Sequence, residues 1–378
     1  MKNLRIAWLL TSAFYYWHPP LAELAKLFPE TTAFVANWRG YAPGFEDSFK
    51  IDIVGERKII PIIKSSQGYG YSFTYLPLNI VNRLLKFKPD VIFSNSFGVW
   101  TMLALLLKPL GKWRVVIAYE GSSPSIDARN SAPRLAVRRA MVKAADACIT
   151  NSQGGKAYLT EILDAQTEQV FVHPYEVPAV QALFSQSNDS QVSSQSWKQP
   201  IFIYVGSIIP RKGLNFLLDA CNHLKKQGYT DYTILIVGEG EQQEELQQFC
   251  KENDLTDCVQ WVGRVNYGQL GSYFEKADVF VLPTLEDTWG MVVLEAMILG
   301  KPILCSKFAG ASELITDEKN GYSFDPESPE RLAEFMLYFI KQPEQVTAMG
   351  HQSKELMNKY TPQAAAQFFK EVISSVNS

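Results

Sequence analysis

The stretch "ADVFVLPTLEDTWGMVVLEAMILGKPILCS" (residues 277–306) decides the fold of this sequence. It begins with the apolar run "VFVLPT", passes through a short polar loop and continues as an apolar helix pattern. Gly300 and Pro302 end that pattern just before a second apolar run, "PILCS". A buried strand, a helix and another buried strand in this order indicate parallel strands covered on both faces.

The same alternation of strands and helices extends through both halves of the sequence. Helical patterns such as "GLNFLLDACNHLKKQG" and "EQQEELQQFCKEN" separate the apolar runs. These runs are "RIAWLL", "TTAFVA", "DVIFSN", "RVVIAY", "ACITNS" and "QVFVHP" in the first half, then "IFIYVG", "TILIVGEG", "VQWVG", "VFVLPT" and "PILCS". The pattern predicts an α/β protein with two Rossmann-like, doubly wound domains. Such sheets bind ligands at the carboxyl ends of their strands, so we expect the site in a cleft between two facing domains.

A change of composition near the middle of the chain marks the predicted domain boundary. The segment "SQSNDSQVSSQSW" (Ser185–Trp197) is polar, rich in Ser and Gln and without periodicity, which is typical of a linker. The predicted organisation is a first domain, a linker, a second domain and a final helix that packs back on the first domain. Their ranges are 1–175, 176–200, 201–359 and 360–378.

Composition bounds the class of protein. The chain has 378 residues, of which 47% are hydrophobic and 20% charged, with a formal net charge of -3. This composition is typical of a globular protein large enough for two cores, and its weak acidity does not favour nucleic acid as a partner. The five cysteines have no metal-binding or redox spacing, so we expect a reducing, cytoplasmic location.

Two apolar stretches lack the features of targeting and membrane signals. The start, "MKNLRIAWLLTSAFYYW", has no small-x-small cleavage site, so we interpret it as a first buried strand and not as a signal peptide. The run "FGVWTMLALLL" (Phe97–Leu107) is shorter than the ~20 residues that span a bilayer. We predict that this run forms a buried helix.

A single carboxylate lies inside the apolar helix of the opening stretch. From Gly290 to Leu299, every residue except Glu295 is apolar or Gly. A buried, ionised Glu295 needs hydrogen-bond donors, and the two adjacent hydroxyls of a ribose would provide them. Alternatively, Glu295 faces solvent or pairs with a structural Arg. The start of this helix offers free N–H groups, which suit a phosphate, and Gly290 permits close approach.

A second candidate phosphate site follows the first strand of the second half. In "VGSIIPRKGLNFLL" (Val205–Leu218), a strand ends at Gly206, and Arg211 and Lys212 precede a helix. Cations at this position suit a diphosphate, although a solvated surface is the alternative. The turn "IVGEGEQQ" (Ile236–Gln243) is a third strand-to-helix connection rich in Gly.

The order of these motifs resembles that of a known family. The motifs "VGSIIPRKGLNFLLDA", "ILIVGEGEQQEEL", "VQWVGRV", "EDTWGMVVLEAMILGKPIL" and "FAGASELITDEKNGYSF" follow one another over Tyr204–Phe324. This half resembles the retaining GT-B glycosyltransferases of group 1, also called glycosyltransferase family 4. The first 175 residues resemble the acceptor domain of the family more loosely, through "DVIFSNSFG" and "ACITNSQGGK".

The resemblance implies roles for two carboxylates eight residues apart. Glu295 matches the acidic residue that binds the donor ribose in the family. Asp287 matches the residue that contacts the transferred sugar near its reacting carbon. The family usually has Glu at that position, so Asp287 is one methylene short, and Glu286 could take its place after a shift of the loop.

Other donor contacts follow from the same resemblance. Lys212 matches the cation that stabilises the leaving diphosphate, and Gly290 and Met291 match the backbone amides that meet the phosphate. Gly206 is the glycine of the first motif. In the family the backbone near "VGRV", which includes Arg264, contacts the base.

Two positions depart from the family pattern. Ser207 stands where the family often has Arg, and Arg211 could supply the missing charge. The strand "RVVIAYEGSSP" ends with Tyr119 and Glu120, where the family often has His. If that His binds the donor sugar, Glu120 must accept a sugar hydroxyl instead, and a carboxylate that caps a turn is the alternative.

Two further groups of side chains have both functional and structural interpretations. The aromatic residues of 14–17 could stack on an acceptor sugar, or they could belong to the core, and His18 fits a structural role better. The helix pattern "RLAVRRAMVKAA" (Arg134–Ala145) carries four cations: Arg134, Arg138, Arg139 and Lys143. In family members with lipid-linked acceptors such a face docks to the membrane, and a solvated basic face is the alternative.

The resemblance implies transfer of a sugar from a UDP- or GDP-sugar to a glycan or lipid-linked acceptor with retention of configuration. We expect no cofactor and no metal, which agrees with the absence of an Asp-x-Asp triplet. We expect a cytoplasmic enzyme that could contact the inner face of the membrane. The alternatives are a nucleotide-sugar epimerase or a phosphorylase of the same fold, and an inactive protein that binds sugar nucleotides.

Overall fold

The computed structural model describes residues 4–12, 14–63, 71–186 and 196–377, with the backbone alone at 61–63 and 71–73. The described chain forms two compact units. The first comprises the described residues up to Val177 together with the terminal segment from Tyr360. The second comprises Pro178–Lys359. Each unit has its own parallel sheet, so the polypeptide folds as two α/β domains.

The described part of the first unit contains a seven-stranded parallel sheet in the order β3-β2-β1-β6-β7-β8-β9. A separate antiparallel pair, β4 and β5, follows β3. The strands are β1 (Ile6–Leu10), β2 (Thr31–Val35), β3 (Lys50–Ile53), β4 (Lys58–Ile63), β5 (Tyr71–Tyr75), β6 (Val91–Asn95), β7 (Arg114–Tyr119), β8 (Ala147–Thr150) and β9 (Val170–Val172).

Helices cover the first sheet, and the last helix of the chain is one of them. They are α1 (His18–Leu27), α2 (Ile80–Phe87), α3 (Val99–Leu106), α4 (Lys108–Gly111), α5 (Ala132–Ala144), α6 (Gln153–Ala157) and, at the end, α14 (Pro362–Asn377). Phe369 of α14 lies with its ring centroid 4.7 Å from that of Trp8 on β1. Trp8 also stacks on Phe93 of β6 at 4.5 Å. The terminal helix therefore completes the aromatic core of the first unit.

The second unit contains a six-stranded parallel sheet in the order β12-β11-β10-β13-β14-β15. Counted from β10, the order is third, second, first, fourth, fifth and sixth, which is the doubly wound Rossmann arrangement. The strands are β10 (Ile201–Val205), β11 (Thr233–Val237), β12 (Val259–Gly263), β13 (Val279–Leu282), β14 (Ile303–Ser306) and β15 (Gly321–Phe324).

Seven described helices belong to the second unit. They are α7 (Val180–Leu183), α8 (Leu214–Lys226), α9 (Gln243–Glu252), α10 (Leu270–Lys276), α11 (Met291–Ile298), α12 (Pro329–Lys341) and α13 (Glu344–Met357). The helix of the opening stretch is α11, and it follows β13 directly along the chain. Val293, Leu294, Ala296 and Met297 of α11 are completely buried, so its apolar sequence is explained by packing against the sheet and α13.

Several details differ from the sequence prediction. Part of the segment expected to be a linker, Val180–Leu183, is helical, and residues 187–195 of the predicted linker lie outside the described residues. The helix α3, predicted to be buried, leaves Met102 38% and Leu106 68% exposed. Its apolar sequence is therefore only partly explained by the core. The strands β3, β4, β5 and β15 were not predicted from the sequence.

Candidate active site

Two residues predicted to act in catalysis, Lys212 and Asp287, form an ion pair in the second unit. Lys212 follows β10 and Asp287 follows the neighbouring strand β13. The Lys212 Nζ donates to Oδ2 of Asp287, and the two side chains are only 14% and 10% exposed. The strand order of the sheet reverses between β10 and β13, and doubly wound sheets bind ligands at the carboxyl ends of strands at such a point. The pair therefore lies where this topology favours a ligand.

The loops that carry the pair touch at Gly213. Its φ is +65°, and a Cβ built on Gly213 would lie 2.1 Å from the carbonyl oxygen of Pro283, which follows β13. The Leu285 N–H and the Thr284 hydroxyl donate to the Arg211 carbonyl at 2.8 and 3.0 Å. Glycine is needed at position 213, because the positive φ disfavours a side chain and the Pro283 carbonyl leaves no space for a Cβ.

Arg211 and Ser207 occupy the same loop in different settings. Arg211 Nη1 donates to the carbonyl oxygen of Glu286 at 2.5 Å, so the guanidinium braces the loop after β13. Ser207 is exposed directly after Gly206, and its carbonyl accepts the Tyr204 hydroxyl at 2.8 Å. The compensation of Ser207 by Arg211, which the sequence suggested, stays a prediction.

The loop after β13 presents Asp287, and not Glu286, to the cation. The Asp287 N–H donates to the Phe308 carbonyl at 3.1 Å, and the Gly310 N–H donates to the Asp287 carbonyl at 3.1 Å. These bonds anchor the Asp287 backbone to the segment after β14. Glu286 is also buried, with 5% of its surface exposed. The loop shift that would exchange the two carboxylates is not observed.

Gly290 and Met291 form the start of α11. Gly290 has a φ of +93° and precedes the first helical residue, and it has no side chain with which to cap the helix. The first turn includes a bond from the Val293 N–H to the Gly290 carbonyl at 2.9 Å. The amides at the start of an α-helix lack partners within the helix and carry a partial positive charge. This arrangement suits an anion, and the binding of a phosphate by Gly290 and Met291 stays a prediction.

Glu295 lies one turn further along α11 and is 6% exposed. Burial raises the pKa of Glu295 to about 7, and a hydrogen bond from the Tyr267 hydroxyl opposes the rise. The same burial, with the charge of Glu295, raises the pKa of Tyr267. The alternative of a solvent-facing Glu295 is therefore wrong, and the internal partner identified is a phenol and not an Arg. No sequence signal pointed to Tyr267, because the contact is tertiary.

A pocket of about 420 Å³ opens at the carboxyl ends of β10, β11 and β12. Gly206, Ser207, Gly238, Glu239, Arg264, Val265 and Leu270 are among its lining residues. Tyr267 lies in the short turn between Val265 and Leu270, which links the pocket to Glu295. Three residues predicted to bind the donor, Gly206, Ser207 and Arg264, thus share one cavity.

Glu120 belongs to the first unit, at the carboxyl end of β7, and forms a carboxyl pair with the buried Glu176. Asn95 Nδ2 donates to Glu120 Oε1 at 2.8 Å, and Asn151 Nδ2 donates to Glu176 Oε2 at 2.9 Å. Burial raises the pKa of both carboxyls, and the charge of Glu120 raises that of Glu176 further.

The asparagines that contact the Glu120–Glu176 pair were not identified from the sequence. Asn95 ends β6, and Asn151 follows β8 in the motif "ACITNSQGGK". Both asparagines lie at the carboxyl edge of the sheet, where parallel strands end together, and this position could have identified them. Glu176 follows β9 and has 2% of its surface exposed. Its sequence context offered no comparable signal.

The basic helix α5 uses two of its cations within the first unit. Arg138 donates to the Tyr158 hydroxyl at 2.7 Å and to the Ile126 carbonyl at 2.9 Å. Arg139 pairs with Asp164 at 3.0 Å. These contacts explain part of the basic pattern without a membrane, and contact of this helix with a membrane stays a prediction.

The aromatic segment after β1 divides between core and surface. Trp17 is fully buried and Phe14 is 40% exposed. His18 is fully buried, and its Nδ1 accepts the Ala42 N–H at 2.8 Å. His18 therefore has the structural environment that the sequence analysis favoured.

Within residues 4–12, 14–63, 71–186 and 196–377, no three His, Cys, Asp or Glu side chains cluster as metal ligands. The helices in those same ranges include none with the length and apolar character needed to cross a bilayer.

Comparison with known proteins identifies relatives of both units. The family model "Glycosyl transferases group 1" matches residues 185–356, and "Glycosyltransferase Family 4" matches residues 22–174. An uncharacterized glycosyltransferase of Methanocaldococcus jannaschii is 26% identical over 159 residues, covering 42% of this chain and 43% of the relative. A sulfoquinovosyl transferase of Arabidopsis thaliana is 25% identical over 297 residues, covering 76% of this chain and 56% of the relative. The chain thus spans about half the length of the curated relatives it matches.

Solved structures match the fold over nearly the whole chain. HepE of Anabaena, solved in complex with UDP, has a TM-score of 0.74 at 16% identity and covers 98% of this chain and 100% of its own. At that identity the likeness concerns the fold alone, and it assigns the two Rossmann-like domains to the GT-B class. With two family models matched in tandem, the chain belongs to the group 1 glycosyltransferases, glycosyltransferase family 4.

Proposed function

We propose that this protein transfers a sugar from a nucleoside-diphosphate donor to a glycan or lipid-linked acceptor, with retention of configuration. The observation that carries the proposal is the Lys212–Asp287 pair at the reversal of the strand order, beside α11 with its free amides and buried Glu295. UDP is the first nucleotide to test, because HepE was solved with UDP and with UDP-glucose.

The donor nucleotide has a proposed position for each of its parts. The diphosphate meets Lys212 and the amides at Gly290 and Met291, because these groups provide positive charge at one place. The ribose hydroxyls donate to Glu295, which lies one helical turn, about 5.4 Å, beyond the helix start. The base enters the pocket of about 420 Å³ that Arg264 helps to line.

The proposed reaction proceeds on one face of the sugar. The bond between the anomeric carbon and the diphosphate oxygen breaks, and the anomeric carbon forms a bond with the acceptor oxygen. The acceptor proton passes to the leaving phosphate, so the products are the glycoside and the nucleoside diphosphate. Lys212 and the helix amides stabilise the charge that grows on the diphosphate, which is the step where preorganised charge contributes most.

Asp287 and Glu120 have proposed roles at the sugar. Asp287 contacts the transferred sugar near the anomeric carbon once the diphosphate has taken over part of its interaction with Lys212. The role of Glu120 as an acceptor of a sugar hydroxyl stays a prediction. We expect no metal to be required, and we expect a cytoplasmic location because all five cysteines are free and buried. Peripheral membrane contact stays a prediction.

The test is consumption of donors. UDP-glucose, UDP-galactose, UDP-N-acetylglucosamine and GDP-mannose are each incubated with the protein, a mixture of glycan and lipid acceptors, and EDTA. Release of the nucleoside diphosphate together with a new α-glycoside from an α-linked donor is the expected result. Interconversion of the donor sugar would instead support an epimerase. Binding of a donor without any turnover would support the inactive binding protein, which the short Asp287 side chain makes the second candidate.

A further inference from the structure

The hydrogen bond between Tyr267 and Glu295 adds a residue to the proposed donor site. Tyr267 begins the short turn Tyr267–Gln269 that connects β12 with α10. Two residues before it, Val265 lines the pocket, and three residues after it, Leu270 does the same. Tyr267 therefore joins the wall of the pocket to the carboxyl of Glu295.

Other ionisable groups around α11 do not replace this contact. The elements with the most extensive contacts to α11 are β13, β14, the short helix Gly310–Leu314 and α13. Their ionisable side chains are Cys305, Glu313, Glu344, His351, Lys354 and Glu355. Burial raises the pKa of Glu295, and the hydrogen bond from Tyr267 opposes the rise.

We propose that Tyr267 is a positioning residue for ribose recognition: its phenol binds one oxygen of Glu295, so that the other oxygen faces the ribose hydroxyls. The inference rests on the proposed function, because it assumes that a nucleotide occupies this site. A carboxylate has about four acceptor positions on two oxygens, so one bond from Tyr267 leaves room for the ribose. The contact also restrains the Glu295 side chain before the ligand arrives.

The contact has a consequence for pH dependence. Ribose hydroxyls donate best to an ionised carboxylate, and burial raises the pKa of Glu295 to about 7. Recognition of the ribose therefore weakens as pH falls through this range. The Tyr267 bond favours the ionised form, so its removal raises the pKa of Glu295 further and extends the weakening to higher pH.

The experiment compares UDP with 2′-deoxy-UDP by isothermal titration calorimetry between pH 6 and 8.5. The ratio of the two dissociation constants isolates the ribose hydroxyl, because titration of the phosphates affects both ligands alike. For Tyr267→Phe, we expect the preference for UDP to fall by about three- to tenfold at pH 7 and by less at pH 8.5. If UDP does not bind, GDP and 2′-deoxy-GDP replace the pair.

Tyr273→Phe is the matched control, because Tyr273 is a buried tyrosine on α10 without a resolved contact to Glu295. Its profile should match that of the unmodified protein. A Tyr267→Phe profile that coincides with the unmodified one would overturn the inference. If Glu295→Gln also keeps the full preference for UDP and its pH dependence, the assignment of the donor site itself fails.

A measurement without ligand separates the two failures. The raised pKa of Glu295 gives stability that is present below the unfolded value of about 4.3 and lost as pH rises through about 7. Relative to Glu295→Gln, the unmodified protein should therefore lose melting temperature between pH 5 and 8. In the Tyr267→Phe background the loss should be larger and end at a higher pH. Equal losses in both backgrounds would refute the contact even if no nucleotide binds.

Discussion

At the scale of single residues, the Lys212–Asp287 pair imposes a competition. Asp287 neutralises the cation that the diphosphate needs. A donor must therefore share Lys212 with Asp287 or displace Asp287 from it. Lys212 stabilises the charge on the departing diphosphate most strongly in the transition state. The same pair contributes to stability, because both side chains are largely buried. Removal of either residue would leave the charge of the other one buried without its partner.

Lys212→Ala should lower the rate of transfer by about 10²- to 10³-fold, with a smaller effect on donor affinity. Steady-state kinetics with the donor that is turned over provides the measurement. Lys226→Ala is the control, because Lys226 is an exposed lysine on α8, the helix that follows the Lys212 loop. Equal losses in turnover and affinity would assign Lys212 to ground-state binding only.

The Glu120–Glu176 pair predicts a pH dependence of stability that can be measured without substrate. Both carboxyls have a raised pKa, so their contribution to stability is present below about 4.3 and is lost as pH rises. In Glu176→Gln the side chain at this position no longer ionises, so its share of the pH dependence is lost. Between pH 4 and 8, the unmodified protein should lose melting temperature relative to Glu176→Gln.

The exposed Glu168 provides the control for that experiment. Glu168→Gln should follow the unmodified protein over the whole pH range, because Glu168 lies at the surface of the first unit. A Glu176→Gln curve parallel to the unmodified one would contradict the raised pKa of Glu176.

At the scale of secondary-structure elements, the site depends on how closely two loops approach. Gly213→Ala should lower the free energy of unfolding more than Gly228→Ala, although both glycines have positive φ. Only Gly213 meets a backbone atom, at 2.1 Å, whereas a Cβ on Gly228 has nothing within 4 Å. The conformational cost alone is about 1–2 kcal/mol, which is the change expected for Gly228→Ala.

Chemical denaturation measures both variants, and donor turnover adds a second readout. The clash at Gly213 should also separate Lys212 from Asp287, so we expect this variant to lose transfer activity while Gly228→Ala keeps it. If the two variants lose the same stability and activity, the close approach of the loops has no functional role.

Elements with strong sequence signals were predictable, and contacts between distant elements were less so. The apolar strands β10 and β13 were evident from their composition. Lys212 and Asp287, which are 75 positions apart, were identified through the resemblance to the family. The pairing of Tyr267 with Glu295 was not predictable. Tyr267 lies in the turn between β12 and α10 and Glu295 on the helix after β13, and no sequence periodicity relates these two segments. The strand β3 was missed because its sequence, "KIDI", is short and half polar.

At the scale of the whole molecule, the chain leaves the first unit after β9 and returns to it with α14. Phe369 on α14 is fully buried and lies 4.7 Å from Trp8 and 5.6 Å from Tyr175 between ring centroids. Phe369→Ala should therefore destabilise the first unit by about 3–5 kcal/mol. Denaturation followed by tryptophan fluorescence measures the loss, and the exposed Glu371→Ala on the same helix is the control.

An unchanged transition in Phe369→Ala would mean that the terminal helix does not contribute to the core of the first unit. The second unit should keep its stability in this variant, because α14 belongs to the first unit. UDP binding by the variant, measured below its unfolding transition, reports on the second unit separately.

The most direct test of the account is the affinity of Glu295→Gln for UDP at pH 8, measured by calorimetry beside the unmodified protein and Glu313→Gln. Hydrogen bonds to a charged group contribute about 1.5–3 kcal/mol, so the account predicts a loss of roughly 10- to 100-fold for Glu295→Gln and none for Glu313→Gln. An unchanged affinity in Glu295→Gln, with the fold intact, would contradict the claim that the buried carboxylate of α11 binds the donor ribose.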